Sequence, residues 1–327
     1  MGLGRLHAGM LLAVMLSLLV AAVSPPERAE FVTLGTGGGP LTRLKRSEPA
    51  NAVVVNGAVY LFDAGDGTQR QMTAAGLPLA ALRAVFISHH HIDHDGGLAP
   101  LLVTRWLFNN YAPLPLIGPS GTVAMATGIA SAYRATELAP ITIGGPPKPS
   151  IAATIAAQDM ALMMDVPTLI YQDENIRVLA ITNDHYHFPP GSAEALASRS
   201  YSFRIEAGGR TFVYTGDTGP SARLEALAKG ADVLVSEVID MKAMERVLAR
   251  TAGLSAALRG PMMAHMAQDH LTPENVGLLA AHAGVKRVVL THLAPGLDDE
   301  TDLSGYVTGL KASYGGPLAI ARDLERF

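Results

Sequence analysis

Cysteine is absent from all 327 residues. That excludes disulfides, thiolate metal ligands, a thiol nucleophile and a lipid anchor attached through cysteine. The chain also lacks internal repeats and long low-complexity segments. Charge is sparse: charged residues are 17% against 49% hydrophobic, a balance that buries a sizeable core and argues against disorder. The net charge of −4 leaves no broad basic face, so no long nucleic acid is expected as a partner. The run Gly35-Thr36-Gly37-Gly38-Gly39 lacks the lysine and helix of a nucleotide loop and reads as a tight strand exit.

An apolar run from Met10 to Val23 falls short of the roughly 20 residues of a membrane span. Arg5 and His7 precede it, and small residues lead to Ser24-Pro25-Pro26. This is the order of a secretory signal, so residues 1–24 are expected to direct export to the periplasm or the medium. Once cleaved, the protein has no stable membrane association; an uncleaved N-terminal anchor helix is the alternative.

Strand signals cover 31–34, 52–55 and 58–62, with Asn56-Gly57 as a hairpin turn between the last two. A helix is expected over 68–76, a strand over 84–87, a helix over 98–108, a strand over 114–117 and a helix over 120–135. Residues 140–170, rich in Gly and Pro and then Ala and Met, read as an insertion over one rim. Strands resume at 176–181, 201–206, 211–215 and 232–236, and residues 240–258 look helical. Thr272-Pro273 starts a helix that Gly284 closes, before a strand at 286–290. Hairpins early and β–α alternation later predict helices layered over mixed sheets.

The densest chemistry is Ser88-His89-His90-His91-Ile92-Asp93-His94-Asp95, which places four of 11 histidines in six positions after an apolar strand. Imidazole and carboxylate are the ligands of zinc and similar ions. Three more strand ends carry such groups: Asn183-Asp184-His185, Thr215-Gly216-Asp217 and Leu290-Thr291-His292. Four strand ends supplying His and Asp to one rim make a preorganised metal site. Met262, Met263, His265 and Met266 read as packing of an Ala/Met-rich segment rather than a soft-metal site.

In this order, Asp63, His89-x-His91-x-Asp93-His94, His185, Asp217 and His292 resemble the metallo-β-lactamase-fold hydrolases. LGTGGGP, YTGDTGP, VLVSEV, HLTPENVG and VVLTHLAPG are similar to the ribonuclease Z and arylsulfatase-like branch. The resemblance covers roughly residues 30–320. It implies an α/β fold, a four-layer αββα sandwich, as one hydrolase domain over 30–327. It further implies two zinc ions, with iron or manganese as alternatives. His89, His91 and His185 would hold one ion, Asp93, His94 and His292 the other, and Asp217 would bridge them. His187 competes with His185, and the Asn-x-His pattern favours His185. A hydroxide between the ions would be the nucleophile. His270, paired with Glu237, would donate the proton, and Asp93 counts among both the catalytic and the metal residues. Asp63 would orient the histidine loop, Asp95 would support it, and His90 would stand outside the ligand set.

The function implied is an exported dinuclear zinc hydrolase of small esters: a phosphodiester, an aryl sulfate or a lactone. β-Lactam hydrolysis is the enzymatic alternative, against which the bridging Asp217 speaks. A metal- or ligand-binding module without activity is the alternative from another class. A homodimer is compatible with the resemblance.

Overall fold

The computed structural model describes residues 28–139 and 146–327; the expected signal at 1–24 lies outside them. Two seven-stranded sheets face each other. The first takes β1 (Glu30–Gly35), β2 (Ala50–Val55), β3 (Ala58–Ala64), β4 (Leu82–Phe86), β5 (Leu114–Gly118) and β6 (Ile155–Asp159) in sequence order. The second takes β7 (Thr168–Gln172), β8 (Ile176–Thr182), β9 (Tyr201–Ala207), β10 (Arg210–Tyr214), β11 (Val233–Ile239), β12 (Val288–Ala294) and β13 (Leu318–Ile320). The chain then returns to the first sheet, where β14 (Glu325–Arg326) pairs antiparallel with β1.

Each inner strand is buried on both faces, which demands apolar residues in both registers of the period-two alternation. In β3, Tyr60 and Phe62 point into the layer between the sheets, while Val59 and Leu61 point outward. The outward set packs with Met72, Leu98, Leu101 and Ala126 from helices 68–74, 98–107 and 122–132. On the far side, Leu224, Leu227, Val276, Leu279 and Leu310 come from helices 222–228, 273–283 and 310–313 and cover the second sheet. The result is the expected αββα order of layers. The middle layer is aromatic: Phe62 stacks on Phe86 at 4.8 Å, and Phe203 from the opposite sheet meets Phe62 at 5.7 Å.

Strand direction decides where the site lies. β9 runs antiparallel to both β8 and β10, while β10, β11 and β12 are mutually parallel. The C-terminal ends of β8, β10, β11 and β12 therefore share one rim, the usual crevice for ligands in such sheets. The loop after β4 is drawn to the same rim, where Tyr201 donates its backbone N–H to the Ser88 carbonyl at 3.0 Å.

Two segments differ from the sequence reading. The described part of 140–170 is more than an insertion. It forms β6 and leads into β7, one edge strand of each sheet, and lodges Met160 and Met164 in the core between them. Residues 240–258 hold two helices, Met241–Arg250 and the start of Ala256–Asp269, divided where Gly253 takes a left-handed conformation (φ 77°). Hydrophobic spacing carried across that break because both helices use the same apolar residue types.

Truncating Phe62 removes a ring that packs against two others, Phe86 and Phe203. Phe62→Ala is expected to cost about 3–5 kcal/mol in urea-melt stability, the usual range for a large buried aromatic. An unchanged transition midpoint would contradict this account of the middle layer.

Candidate metal centre

Seven side chains converge on the shared rim. On the loop after β4, His89 Nε2 lies 3.0 Å from His91 Nδ1, which is 3.3 Å from His185 Nε2 at the end of β8. These three nitrogens form one ligand group. Asp93 Oδ2 lies 3.5 Å from both His94 Nε2 and His292 Nε2, forming a second group. Asp217 stands between them, with Oδ1 3.4 Å from His94 Nε2 and Oδ2 3.1 Å from His292 Nε2 and 4.0 Å from His89 Nε2.

These atoms fit metal ions. His94 Nε2, His292 Nε2 and Asp217 Oδ1 are buried and have no hydrogen-bond partner among the described residues. Buried polar atoms left so are costly, and a cation shared among them removes the cost. Electrostatics point the same way. Burial pushes the charged form of His94 down, yet Asp217, Asp93 and Asp63 outweigh it and hold its pKa well above the usual value. His292 is likewise raised to about 10 against its burial, by Asp217 and Asp93. Burial, with neighbouring histidines, instead drives His89 well below its ordinary value, and burial takes His185 to about 3. The first group is thus three neutral imidazoles, and the second is centred on negative charge. Both suit divalent ions.

The ligands are held from behind. Asp63, at φ 62°, accepts from the Ser88 backbone N–H (2.7 Å), the Ser88 hydroxyl (2.8 Å) and the Tyr214 hydroxyl (2.7 Å), and meets His94 Nδ1 at 2.7 Å. A left-handed backbone at a residue other than glycine is strained and persists only where its surroundings hold it. His185 Nδ1 lies 2.9 Å from the carbonyl of Asp269. Asn183 donates to the carbonyls of Thr215 and Asp217, tying the end of β8 to the loop that carries the bridge. Gly39 donates its N–H to Asp93 Oδ2 at 3.0 Å, and a Cβ on Gly39 would sit 2.3 Å from Asp93 Cβ. Glycine there is a requirement of close approach.

His187 turns away from the centre, its Nδ1 lying 2.5 Å from Asp269 Oδ1. His90 meets Asp95 at 2.9 Å and the Thr122 hydroxyl at 3.2 Å, outside the cluster. His270 Nδ1 lies 2.7 Å from Glu237 Oε2 and 3.9 Å from Asp217 Oδ2. Glu237 is buried and accepts from the Thr218 N–H at 2.6 Å. Burial raises the Glu237 pKa, and its charge beside His270 raises that imidazole against its own burial. Sequence reasoning missed Ser88, Tyr214, Asp269 and Gly39 as supports. Tyr214 had one faint signal, an inward-facing polar tip at a strand end two residues before Gly216.

Asp63→Asn is expected to weaken metal retention about 10- to 100-fold in a chelator competition, the usual loss when a group behind a ligand is altered. Gly39→Ala should displace Asp93 and deplete metal by elemental analysis while the circular dichroism spectrum is kept. Full metal content in both variants would refute this geometry.

A family model described as a beta-lactamase superfamily domain matches residues 59–293. The curated ribonuclease Z of Mycolicibacterium paratuberculosis (strain ATCC BAA-968 / K-10) is 30% identical over 277 residues, covering 82% of this chain and 87% of that protein. Among solved structures, human tRNase Z, short form, superposes with a TM-score of 0.61 at 21% identity, covering 91% of this chain and 98% of its own. The Zn(2+)-bound PqqB of Methylobacterium extorquens does so at 0.60 and 18%, covering 91% and 99%. Relatives named for RNA processing overturn the expectation that excludes a long nucleic acid. That expectation rested on net charge, which sums over the whole surface, whereas a phosphate responds to charge within about 8 Å. Arg43, Lys45 and Arg46 stand on the loop that follows the glycine run beside Asp93. With its ligand order, layered sheets and matched span together, the chain belongs to the metallo-β-lactamase superfamily of hydrolases, on its ribonuclease Z-like branch.

Proposed function

We propose that this chain is a dinuclear zinc phosphodiesterase. The observation that carries the reading is the Glu237–His270 pair, 2.7 Å long and set 3.9 Å from Asp217. When a phosphodiester is hydrolysed, its departing alcohol leaves as an alkoxide unless that oxygen is protonated, so a poised imidazolium beside the site is the group such a reaction needs. Names of relatives that process RNA and tRNA support the phosphodiester class over aryl sulfates and lactones.

His89, His91 and His185 would hold one ion, Asp93, His94 and His292 the other, with Asp217 between them. Bound there, two divalent ions make water acidic enough to attack at neutral pH and offset charge on the phosphoryl oxygens. The Zn(2+)-bound state of PqqB, a neighbour of the same fold, supports zinc. The chain's own residues do the rest. Glu237 keeps a proton on His270 Nδ1, which leaves Nε2 to face substrate. As the bond from phosphorus to the departing oxygen breaks, the Nε2 proton passes to that oxygen. Glu237 then stabilises the neutral imidazole's tautomer until it is reprotonated from solvent.

Export of the mature chain is part of the proposal and rests on the composition of residues 1–24. Fusing residues 1–40 to a reporter active only outside the cytoplasm should give signal, and N-terminal sequencing should show loss of the apolar run. A silent reporter removes export without touching the chemistry.

His270→Ala is expected to lower kcat about 10²- to 10⁴-fold on alkyl-leaving phosphodiesters. It should lower kcat far less on bis-(p-nitrophenyl) phosphate, whose leaving group needs no proton. Because Glu237 raises His270, activity should fall as pH rises through that raised value. Glu237→Gln should bring the basic limb of kcat/KM to lower pH. Equal losses on both leaving groups, or an unmoved limb, would remove the proton-donor role. Nitrocefin turnover exceeding that of phosphodiesters would replace the proposal with β-lactam hydrolysis.

A further inference from the structure

Tyr186 and Phe188 flank the metal centre and take no part in binding ions. Tyr186 packs edge-on against His91 at 5.4 Å and His89 at 6.0 Å, and tilts against His185 at 4.8 Å. Phe188 stacks nearly parallel on Tyr186, 5.0 Å away with 22° between planes. The rings form a short column that starts at the ligand histidines and ends in solvent, where Phe188 is 36% exposed.

A cavity of about 200 Å³ opens along this column, lined among others by Met163, Tyr186, Phe188, Ala195, Arg199 and Arg223. That is below the roughly 300 Å³ at which pockets begin to enclose whole ligands, so it suits one ring system of a larger molecule. Arg199 Nε is buried there with no hydrogen-bond partner among the described residues, although its Nη1 bonds the Ser198 carbonyl at 2.7 Å. Arg223 is held in place by Asp184 and by Asp165 at 3.1 Å. Aromatic faces on one wall and guanidinium groups on another are the two surfaces on which flat rings stack.

Tyr186 is the wall between the cavity, whose lining holds none of the candidate ligands, and the histidines of the metal centre. His270, which serves the departing oxygen, lies against His292 and Asp217, with ring centroids 6.1 Å apart for the two histidines. His270 and Tyr186 share a border at His185, at 5.1 Å and 4.8 Å, and diverge from there, His270 toward His292 and Tyr186 toward His91 and His89. We propose that Tyr186 and Phe188 form a stacking subsite for a planar ring, a nucleobase or an aryl group, on the substituent that stays on phosphorus. This rests on the phosphodiesterase reading and names the substrate feature it selects.

The test uses the zinc-loaded full chain and three p-nitrophenyl phosphodiesters with the same leaving group. Their retained substituents are methyl, phenyl and 5′-thymidyl. Phe188→Ala should lower kcat/KM about tenfold for phenyl and thymidyl, mainly through KM, with less than a twofold loss for methyl. Phe188→Tyr should restore the ring-bearing substrates. Metal content, measured in parallel, should be equal in all variants. Equal losses on all three esters, or no loss on any, would overturn the subsite while leaving the phosphodiesterase reading in place. Wild-type enzyme inert toward all three would overturn that reading, and the subsite with it.

Discussion

One buried carboxylate joins the two sheets at the edge where the chemistry lies. Asp63 lies next to the end of β3 in the first sheet, yet it accepts from Tyr214 at the end of β10 in the second. It also accepts from Ser88 and holds His94 Nδ1. A buried anion with four partners at 2.7–2.8 Å tolerates little displacement of any of them. The spacing of the sheets and the aim of His94 are therefore one variable. The strained backbone of Asp63 is sustained by these partners, and the aromatic layer beneath keeps the sheets at the distance they require.

The convergence of these side chains was legible because its signal is local. Strand ends with His or Asp stand out against apolar runs, and His89, His91, Asp93 and His94 repeat the pattern within six residues. What stood behind the ligands was not legible. Tyr214 meets Asp63 across 151 positions, and the Asp269 carbonyl meets His185 across 84. A backbone carbonyl has no residue identity to read, and a hydroxyl at a strand end looks like any other. The outer strands β6 and β7 were masked by Gly, Pro and Met, since edge strands need less of the alternating pattern that reveals inner ones. The exclusion of nucleic acid failed for a similar reason, because a sum over charges carries no information about where they stand.

Charge is also divided within the centre. Neutral imidazoles gather on one side and carboxylates on the other, with Asp217 at the seam. Glu237 extends the negative side toward His270, so the proton that would meet the leaving oxygen is held by the same field that attracts cations. His270 and the candidate ligands are therefore not independent, since Asp217 lies near His270, His94 and His292 alike and Glu237 near both His270 and His292.

The two ligand groups differ in what anchors them. The second is held by Asp63 and by β12, framework fixed on every side. The first depends for His185 on the Asp269 carbonyl, and Asp269 is the only buried residue of helix Ala256–Asp269. Any displacement of that exposed helix would reach His185 directly, whereas no hydrogen bond or ion pair among the described residues joins the second group to it. Two ions seated here would not exchange at the same pace: the three-histidine ion would come and go first, and the carboxylate-bound ion would remain as the resident.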